Sequence, residues 1–218
     1  MKAIIANSIV DKVRDITWMG ENTNTRAAGL VMRMTKRVKS GDGFQDITFP
    51  ISSDVEGEKC YEKGEYFAML PSSSYASILY VEAPNPLRFF GYDRGRKMMV
   101  FQDEMRLVVW GNMKQLGVSD YNAIDRIVYQ ITQKLTETPG ERGIDSGKIA
   151  VADQRVTGGK IDLLITGIEI NNPSIFADYT VNPNSFTYPY LYARFTLNCY
   201  LMIGKNCLTN ISQGSVLC

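Results

Sequence analysis

Residues 105–135 read MRLVVWGNMKQLGVSDYNAIDRIVYQITQKL, and this stretch decides the fold. Met105, Leu107 and Val109 alternate with Arg106, Val108 and Trp110. That period of two predicts a strand with one fully apolar face. Gly111-Asn112 then breaks the pattern. Ser119 or Asp120 can cap a following helix by accepting a hydrogen bond from an orphan backbone N–H. Ile124, Ile127, Val128, Ile131 and Leu135 recur at three- and four-residue spacing, one apolar stripe on a helix of about five turns. Thr138-Pro139-Gly140 stops it. A strand that hands over to a helix with a matching stripe is the core of an α+β layer.

Outward from this centre, the clearest strand is 190–203. There Leu191, Ala193, Phe195, Leu197, Cys199, Leu201 and Ile203 alternate with Tyr190, Tyr192, Arg194, Thr196, Asn198, Tyr200 and Met202. Its wholly apolar face predicts a central position beside Met105–Trp110. Near the start, Ile5, Ile9, Val13 and Ile16 predict an amphipathic helix ending near Thr17. Leu30, Met32, Met34 and Val38 alternate with Arg33, Thr35, Arg37 and Lys39, a strand with a basic outer face. Gly41-Asp42-Gly43 would turn it into a hairpin with residues 44–49. Shorter strands are expected at 66–70, 77–81, 149–156 and 161–170, and 98–101 is either a strand of its own or the start of one long bent strand with Met105–Trp110. The expected architecture is one α+β domain over 1–218: a twisted, mainly antiparallel sheet with two helices packed on one face. Three segments, about 40–64, 83–97 and 171–188, read as long loop insertions.

The totals narrow the chemistry. The chain has 218 residues, of which 44% are apolar, enough for a sizeable core. Lys plus Arg number 24 against 23 Asp plus Glu, and this near-neutral balance is unlike a protein that coats nucleic acid. Histidine is absent. That removes triads, Cys-His pairs and nearly every His-bearing metal site. Cys60, Cys199, Cys207 and Cys218 form no C-x-x-C pair, so neither a metal site nor a disulfide framework is expected. No cofactor is expected. The first residues lack the apolar run of a signal peptide, and no stretch reaches the roughly twenty apolar residues of a membrane helix. A soluble, cytosolic chain with no membrane contact is the expectation.

Candidate sites are few. Gly91-Tyr92-Asp93-Arg94-Gly95 lacks the pattern of a phosphate loop and reads as a surface loop with aromatic anchors. Basic residues interleaved with aromatics can hold single-stranded nucleic acid by stacking and phosphate pairing. Arg88, Arg94 and Arg96 fit this, as does the strand face of Arg33, Arg37 and Lys39. Asp103 with Glu104, and Asp162 with Glu169, are carboxylate pairs whose spacing puts each pair on opposite strand faces, so no enzyme is expected. Phe176, Tyr179, Phe186 and Tyr188 lie in an Asn- and Pro-rich excursion and read as a subunit or partner interface, with a loop packed on its own domain as the alternative. Segments 40–64 and 171–188 are expected to be ordered chiefly by other subunits.

The order of elements resembles the tail-terminator or tail-completion family of tailed bacteriophages. The residues that carry the resemblance are Arg106-Leu107-Val108-Val109-Trp110-Gly111-Asn112, the helix from Tyr121 to Leu135, and Tyr192-Ala193-Arg194-Phe195-Thr196-Leu197. It covers about half the chain. It implies a non-enzymatic virion protein of the neck or tail, a tail terminator or head-to-tail connector, assembled in the bacterial cytoplasm. The implied partners are further copies in a homo-oligomeric ring, hexamer or dodecamer, and the portal and tail proteins. DNA would pass through the lumen without sequence-specific binding. The alternative is a small nucleic-acid-binding module that uses the basic strand face 33–39.

Overall fold

The computed structural model describes residues 1–14, 16, 24–41, 43–52, 61–62, 65–66, 68–95, 97–118, 120, 123–143, 145–151 and 159–204. In chain order the elements are α1 (Lys2–Arg14), β1 (Thr25–Ser40), β2 (Gly43–Ser52), β3 (Tyr61–Glu62), β4 (Glu65–Tyr66), β5 (Ser77–Glu82), β6 (Arg88–Asp93), β7 (Met98–Asn112), α2 (Ala123–Thr136), β8 (Ser146–Ala150), β9 (Lys160–Ile170) and β10 (Tyr190–Gly204). β3 and β4 pair only with each other. The other eight strands form one sheet in the order β2-β1-β5-β7-β10-β9-β8, with β6 added beside the first half of β7. Every pairing in it is antiparallel except β1 with β5. The class is α+β, as the pattern predicts.

The pair β7–β10 is the spine. It is in register from Tyr190↔Asn112 to Gly204↔Met98 without a break. All seven apolar residues from Leu191 to Ile203 on one face of β10 are buried, together with Met105, Leu107 and Val109. Both helices cover that face: Ile5, Ile9 and Val13 from α1, and Ile124, Ile127, Ile131 and Leu135 from α2. Asp125 in the first turn of α2 and Lys134 in its last complement the helix dipole. The helix is one turn shorter than its stripe suggests, and α1 stops at Arg14 rather than near Thr17.

Two glycines seat the helices. A Cβ on Gly29 of β1 would stand 1.6 Å from Asn7 Oδ1 of α1, and a Cβ on Gly147 of β8 would stand 1.8 Å from the carbonyl oxygen of Leu135 at the end of α2. A side chain can swing away, whereas a backbone carbonyl cannot. Between Ala27 and Leu30 the pairing of β1 with β5 slips, so Ala28 and Val31 face the same way despite their odd spacing.

Several expectations need correction. Of the two alternatives for 98–110 the single long strand is the one formed, and Gly111-Asn112 belongs to it rather than breaking it, because the Asn112 N–H still finds the carbonyl of Ala76 at 2.7 Å. Within the supposed loop 83–97, residues 88–93 are a strand paired with β7 and shifted between Phe89 and Gly91. Within 40–64, residues 43–52 are β2, and the hairpin with β1 is as expected. Residues 53–60, 63–64 and 152–158, with the ends of the strands expected at 66–70 and 149–156, lie in whole or in part outside the described residues.

The largest correction concerns 171–188. It packs most of its aromatic rings on its own sheet. Asn172-Pro173-Ser174-Ile175-Phe176 and Asn182-Pro183-Asn184-Ser185-Phe186 are twin single-turn 3-10 helices. In each, the Asn side chain accepts the N–H two residues on, and proline occupies a first position where no donor is needed. In each, the phenylalanine closing the turn falls against Tyr192, with ring centroids 5.7 Å away for Phe176 and 5.3 Å for Phe186. Together with Ile78, Tyr80, Val108 and Trp110 they form a second core on the sheet face opposite the helices. Trp110 Nε1 donates to the carbonyl of Ser185 at 3.2 Å, and Tyr190 stacks on the Trp110 ring. Phe176 is only 2% exposed. Phe176→Ala should therefore destabilise the isolated chain by about 3–5 kcal/mol. Urea unfolding checks this, and an unchanged midpoint would return the segment to the role of a docking loop. Gly147→Ala is expected to cost about 1–3 kcal/mol by overpacking, and more than Gly29→Ala in the same assay.

Candidate interaction surfaces

The cations singled out in the sequence fall into two places. Arg33, Arg37 and Lys39 lie on the outer half of the β1–β2 hairpin. There β1 has left β5 behind and pairs only with β2. Arg33 is bound to Asp178 at 2.6 Å and lies over the ring of Tyr179, 5.9 Å from its centroid. Arg37 reaches Asp46 at 4.0 Å and covers Phe44. Lys39 is exposed opposite Phe44 in the register. Exposed ion pairs of this kind contribute little to stability, but they leave less uncompensated charge on this face than the sequence suggests.

The hairpin projects. Phe49 to Ser52 are buried, whereas Gly43 to Asp46 and Lys36, Arg37, Lys39 and Ser40 are exposed. Its base is pinned by segment 171–188: Thr180 N–H donates to the carbonyl of Thr48 at 2.7 Å, and the Thr48 N–H donates to Thr180 Oγ1 at 3.0 Å. Phe44, which the sequence reading did not single out, stands in water near the tip. An apolar residue on a turn-proximal, otherwise polar strand was its available signal.

Arg88 and Arg94 lie on and beside β6, which continues the line of β5 along the first half of β7. Arg96 lies outside the described residues. Phe89 faces the helix side, edge-on to Phe101 at 5.5 Å, and its strand neighbour Phe90 faces the other side, edge-on to Tyr200 at 5.6 Å; the register shift in β6 brings Tyr92, opposite Met99, onto the face of Phe89. A glycine inside an aromatic run was the readable sign of such a bulge. Arg142, from the loop after α2, lies flat over Tyr200 with its guanidinium carbon 3.4 Å from the ring centroid, and it also holds Asp162 at 3.3 Å. No spacing in the sequence announces that contact.

Of the four aromatics expected at an interface, Phe176 is buried, and Phe186 packs against the second core. Tyr179 also packs there, and its hydroxyl donates to Glu82 at 2.6 Å. Burial raises the Glu82 carboxyl above its usual range, and Tyr179 is raised by burial and by that carboxylate beside it. Only Tyr188 is openly exposed, with Lys114 above its ring.

The carboxylates do not form an acid–base pair. Asp103 and Glu104 face opposite sides as expected. Asp162 and Glu169 do not, which corrects the spacing argument. The slip in β9–β10 pairing between Thr196 and Leu197 puts Asp162 opposite Tyr200 and Glu169 opposite Arg194, on one face. They stand six residues apart along β10, about 20 Å. Glu169 is fully engaged by Arg194, at 2.9 Å from Nε and 2.6 Å from Nη2. Among the described residues no group of three or more His, Cys, Asp or Glu could hold a metal ion, and no helix is long and apolar enough to cross a membrane.

Asp103 is the exceptional carboxylate. It is 3% exposed, opposite Cys199 in the spine, with no hydrogen-bond partner for either oxygen. Lys2 Nζ stands 3.8 Å away, itself donating to the carbonyl of Asn85. Burial raises the Asp103 carboxyl, and Lys2 offsets this only in part. Burial also raises the Cys199 thiol, with Asp103 adding to it. A carboxyl raised on folding stabilises the fold only while pH lies below its unfolded pKa, and that contribution is lost as pH rises through the folded value. Asp103→Asn should therefore raise the melting temperature at neutral pH by about 2–4 °C for each kcal/mol gained. The gain should shrink as pH falls toward about 4, the unfolded carboxyl pKa. Thermal melts of both proteins across pH test this, and a variant less stable at neutral pH would mean that the charge is needed. No protein-family model matches the chain, and no curated protein matches it.

Proposed function

We propose that the chain is a structural assembly subunit that closes into a homo-oligomeric ring, with the β1–β2 arm reaching into the neighbouring copy. The observation that carries this reading is the arm itself, a two-stranded ribbon from residue 34 to 47 extending beyond the cores that hold its base. A lone two-stranded hairpin is marginal in water. Its outer backbone groups invite pairing with another chain. Lys36, Arg37 and Lys39 on the ribbon discourage indiscriminate pairing and favour a partner of complementary shape and charge. An arm that meets a different patch on the next copy makes a heterologous contact, which generates a ring when the rotation closes.

The resemblance to tail-terminator and tail-completion proteins supports a phage neck or tail as the setting. The ring would be a hexamer or dodecamer carried in the virion, stacked on portal or tail proteins, with DNA passing through the lumen. The subunit would be non-enzymatic. The reading as a nucleic-acid module built on the 33–39 face is weaker, because Arg33 and Arg37 already have carboxylate partners.

The test replaces residues 37–46 by Asn-Gly, a two-residue turn that suits a hairpin. Native mass spectrometry and negative-stain imaging should find closed rings in the full chain at high concentration and none in the shortened one. Circular dichroism should show both folded. A full chain that stays monomeric at every concentration, including with detached tails or portals present, defeats the ring reading. Rings that survive the shortening defeat the role of the arm.

A further inference from the structure

We propose that the β6 corner of the sheet is a platform for single-stranded nucleic acid, with Phe89 and Phe90 as stacking surfaces and Arg88, Arg94 and Lys97 as phosphate contacts. The proposal stands independently of the ring reading, because it uses no residue of the arm.

Three observations support it. First, the corner exposes aromatic rings that the fold does not need to expose: Phe89 is 62% exposed, Phe90 59% and Tyr92 44%. Adjacent residues of a strand point to opposite faces, so Phe89 and Phe90 border this edge strand on both sides. Phe90 meets Tyr200, and Arg142 lies flat on Tyr200, so one face carries a continuous row of planar groups running from β6 across to the loop after α2. Gln102 Nε2 donates to the Tyr200 hydroxyl at 3.3 Å and holds that ring in place. Planar side chains of this kind accept any base by its face.

Second, the charge at the corner is uncompensated. Arg88, Arg94 and Lys97 are exposed, and among the described residues none of them makes an ion pair. Four other arginines are paired, Arg33 with Asp178, Arg106 with Glu104, Arg142 with Asp162 and Arg194 with Glu169, whereas at this corner three unpaired cations lie together. Asp93 at the end of β6 is half-buried and already engaged. A neutral protein surface laid over this corner would bury three cations without partners, which is costly. A polyanion supplies a phosphate for each of them.

Third, the covering segment stops short. The residues of 171–188 cover the upper part of this sheet face, over Trp110, Tyr80 and Tyr192. Met98, Val100, Tyr200 and Met202, lower on the same face, are only half-buried. A strand of bases lying beside Phe90 would have an apolar floor there. A duplex keeps its bases stacked inside and cannot use these rings, so the chemistry selects a single strand.

The experiment titrates the full chain against a fluorescein-labelled oligothymidylate and reads fluorescence anisotropy over a range of salt. Binding at low salt is expected, with a slope of log affinity on log salt of about −2, three phosphates at about 0.7 each. Phe89→Ala with Phe90→Ala should weaken binding at least about fivefold, because each lost base stack is worth at least that factor. Changing Arg88, Arg94 and Lys97 together to Ala should flatten the salt slope. Melting curves establish that both variants fold, and single Phe90→Ala serves if the double variant does not. Four outcomes overturn the proposal: no binding at low salt, equal competition by duplex DNA, binding indifferent to the phenylalanines, or phenylalanine variants that alter the oligomeric mass instead of binding. Binding lost in the shortened-arm chain but kept in the β6 variants would move the contact to the arm and also overturn it.

Discussion

The unbroken pairing of β7 with β10 is the constraint on which the rest of the structure depends. Fifteen consecutive residues of β10 are matched to β7 from Tyr190↔Asn112 to Gly204↔Met98. Hydrogen bonds along such a ladder satisfy the backbone but do not choose a face. The faces are chosen by side chains. Leu191 through Ile203 on one side demand an apolar cover, and α1 and α2 provide it. On the other side, Tyr192, Trp110 and Val108 demand a second cover at one end. A sheet with two apolar faces needs three layers, and with both helices of the described residues on one face the third layer is built from something else.

That third layer is made by the twin Asn-Pro-x-x-Phe turns. Each is short, yet each satisfies its own N-terminal donor through its asparagine and delivers a ring at its end. Phe176, Phe186 and Tyr192 form a triangle of tilted and edge-on rings, the geometry favoured by aromatic quadrupoles. Asn171 ties the segment to the spine twice: its side chain accepts the Tyr192 N–H, and its carbonyl accepts the Tyr192 hydroxyl. Asp178, Tyr179 and Thr180 then carry the cover across to β5 and to the root of the arm, through Arg33, Glu82 and Thr48. The segment that looks like a loose loop in the sequence joins the two ends of the sheet.

The same arrangement explains where chemistry is left over. Cations near the cover are neutralised by carboxylates from it or from neighbouring strands. Those at the β6 corner, beyond its reach, are not. On that face the rings beneath the cover, Trp110 and Tyr192, are buried, whereas Phe90, beyond it, is open. Both proposed contacts of this protein therefore lie where the sheet outruns its own layers, the arm at one corner and β6 at another.

The sequence by itself determined the fold class, the two helices on one face, the hairpin and the central place of 190–203. Periodicity carries that information, because a strand or helix with one apolar face has only one way to bury it. It did not determine which side chains oppose each other across strands. The slip between Thr196 and Leu197 reverses the parity that spacing assigned to Asp162 and Glu169, and the slip at Phe89–Gly91 puts Phe89 and Tyr92, opposite Phe101 and Met99, on one face; one inserted residue does this without changing composition. Nor could the sequence tell a docking loop from a covering one. Phe176 and Phe186 are as apolar in either role, and only the presence of Tyr192 and Trp110 beneath them, the latter far away in the chain and brought there by β-pairing, makes burial on the home sheet more favourable than waiting for a partner. Tertiary structure decided that, because the burial of an apolar ring depends on which surface lies within reach.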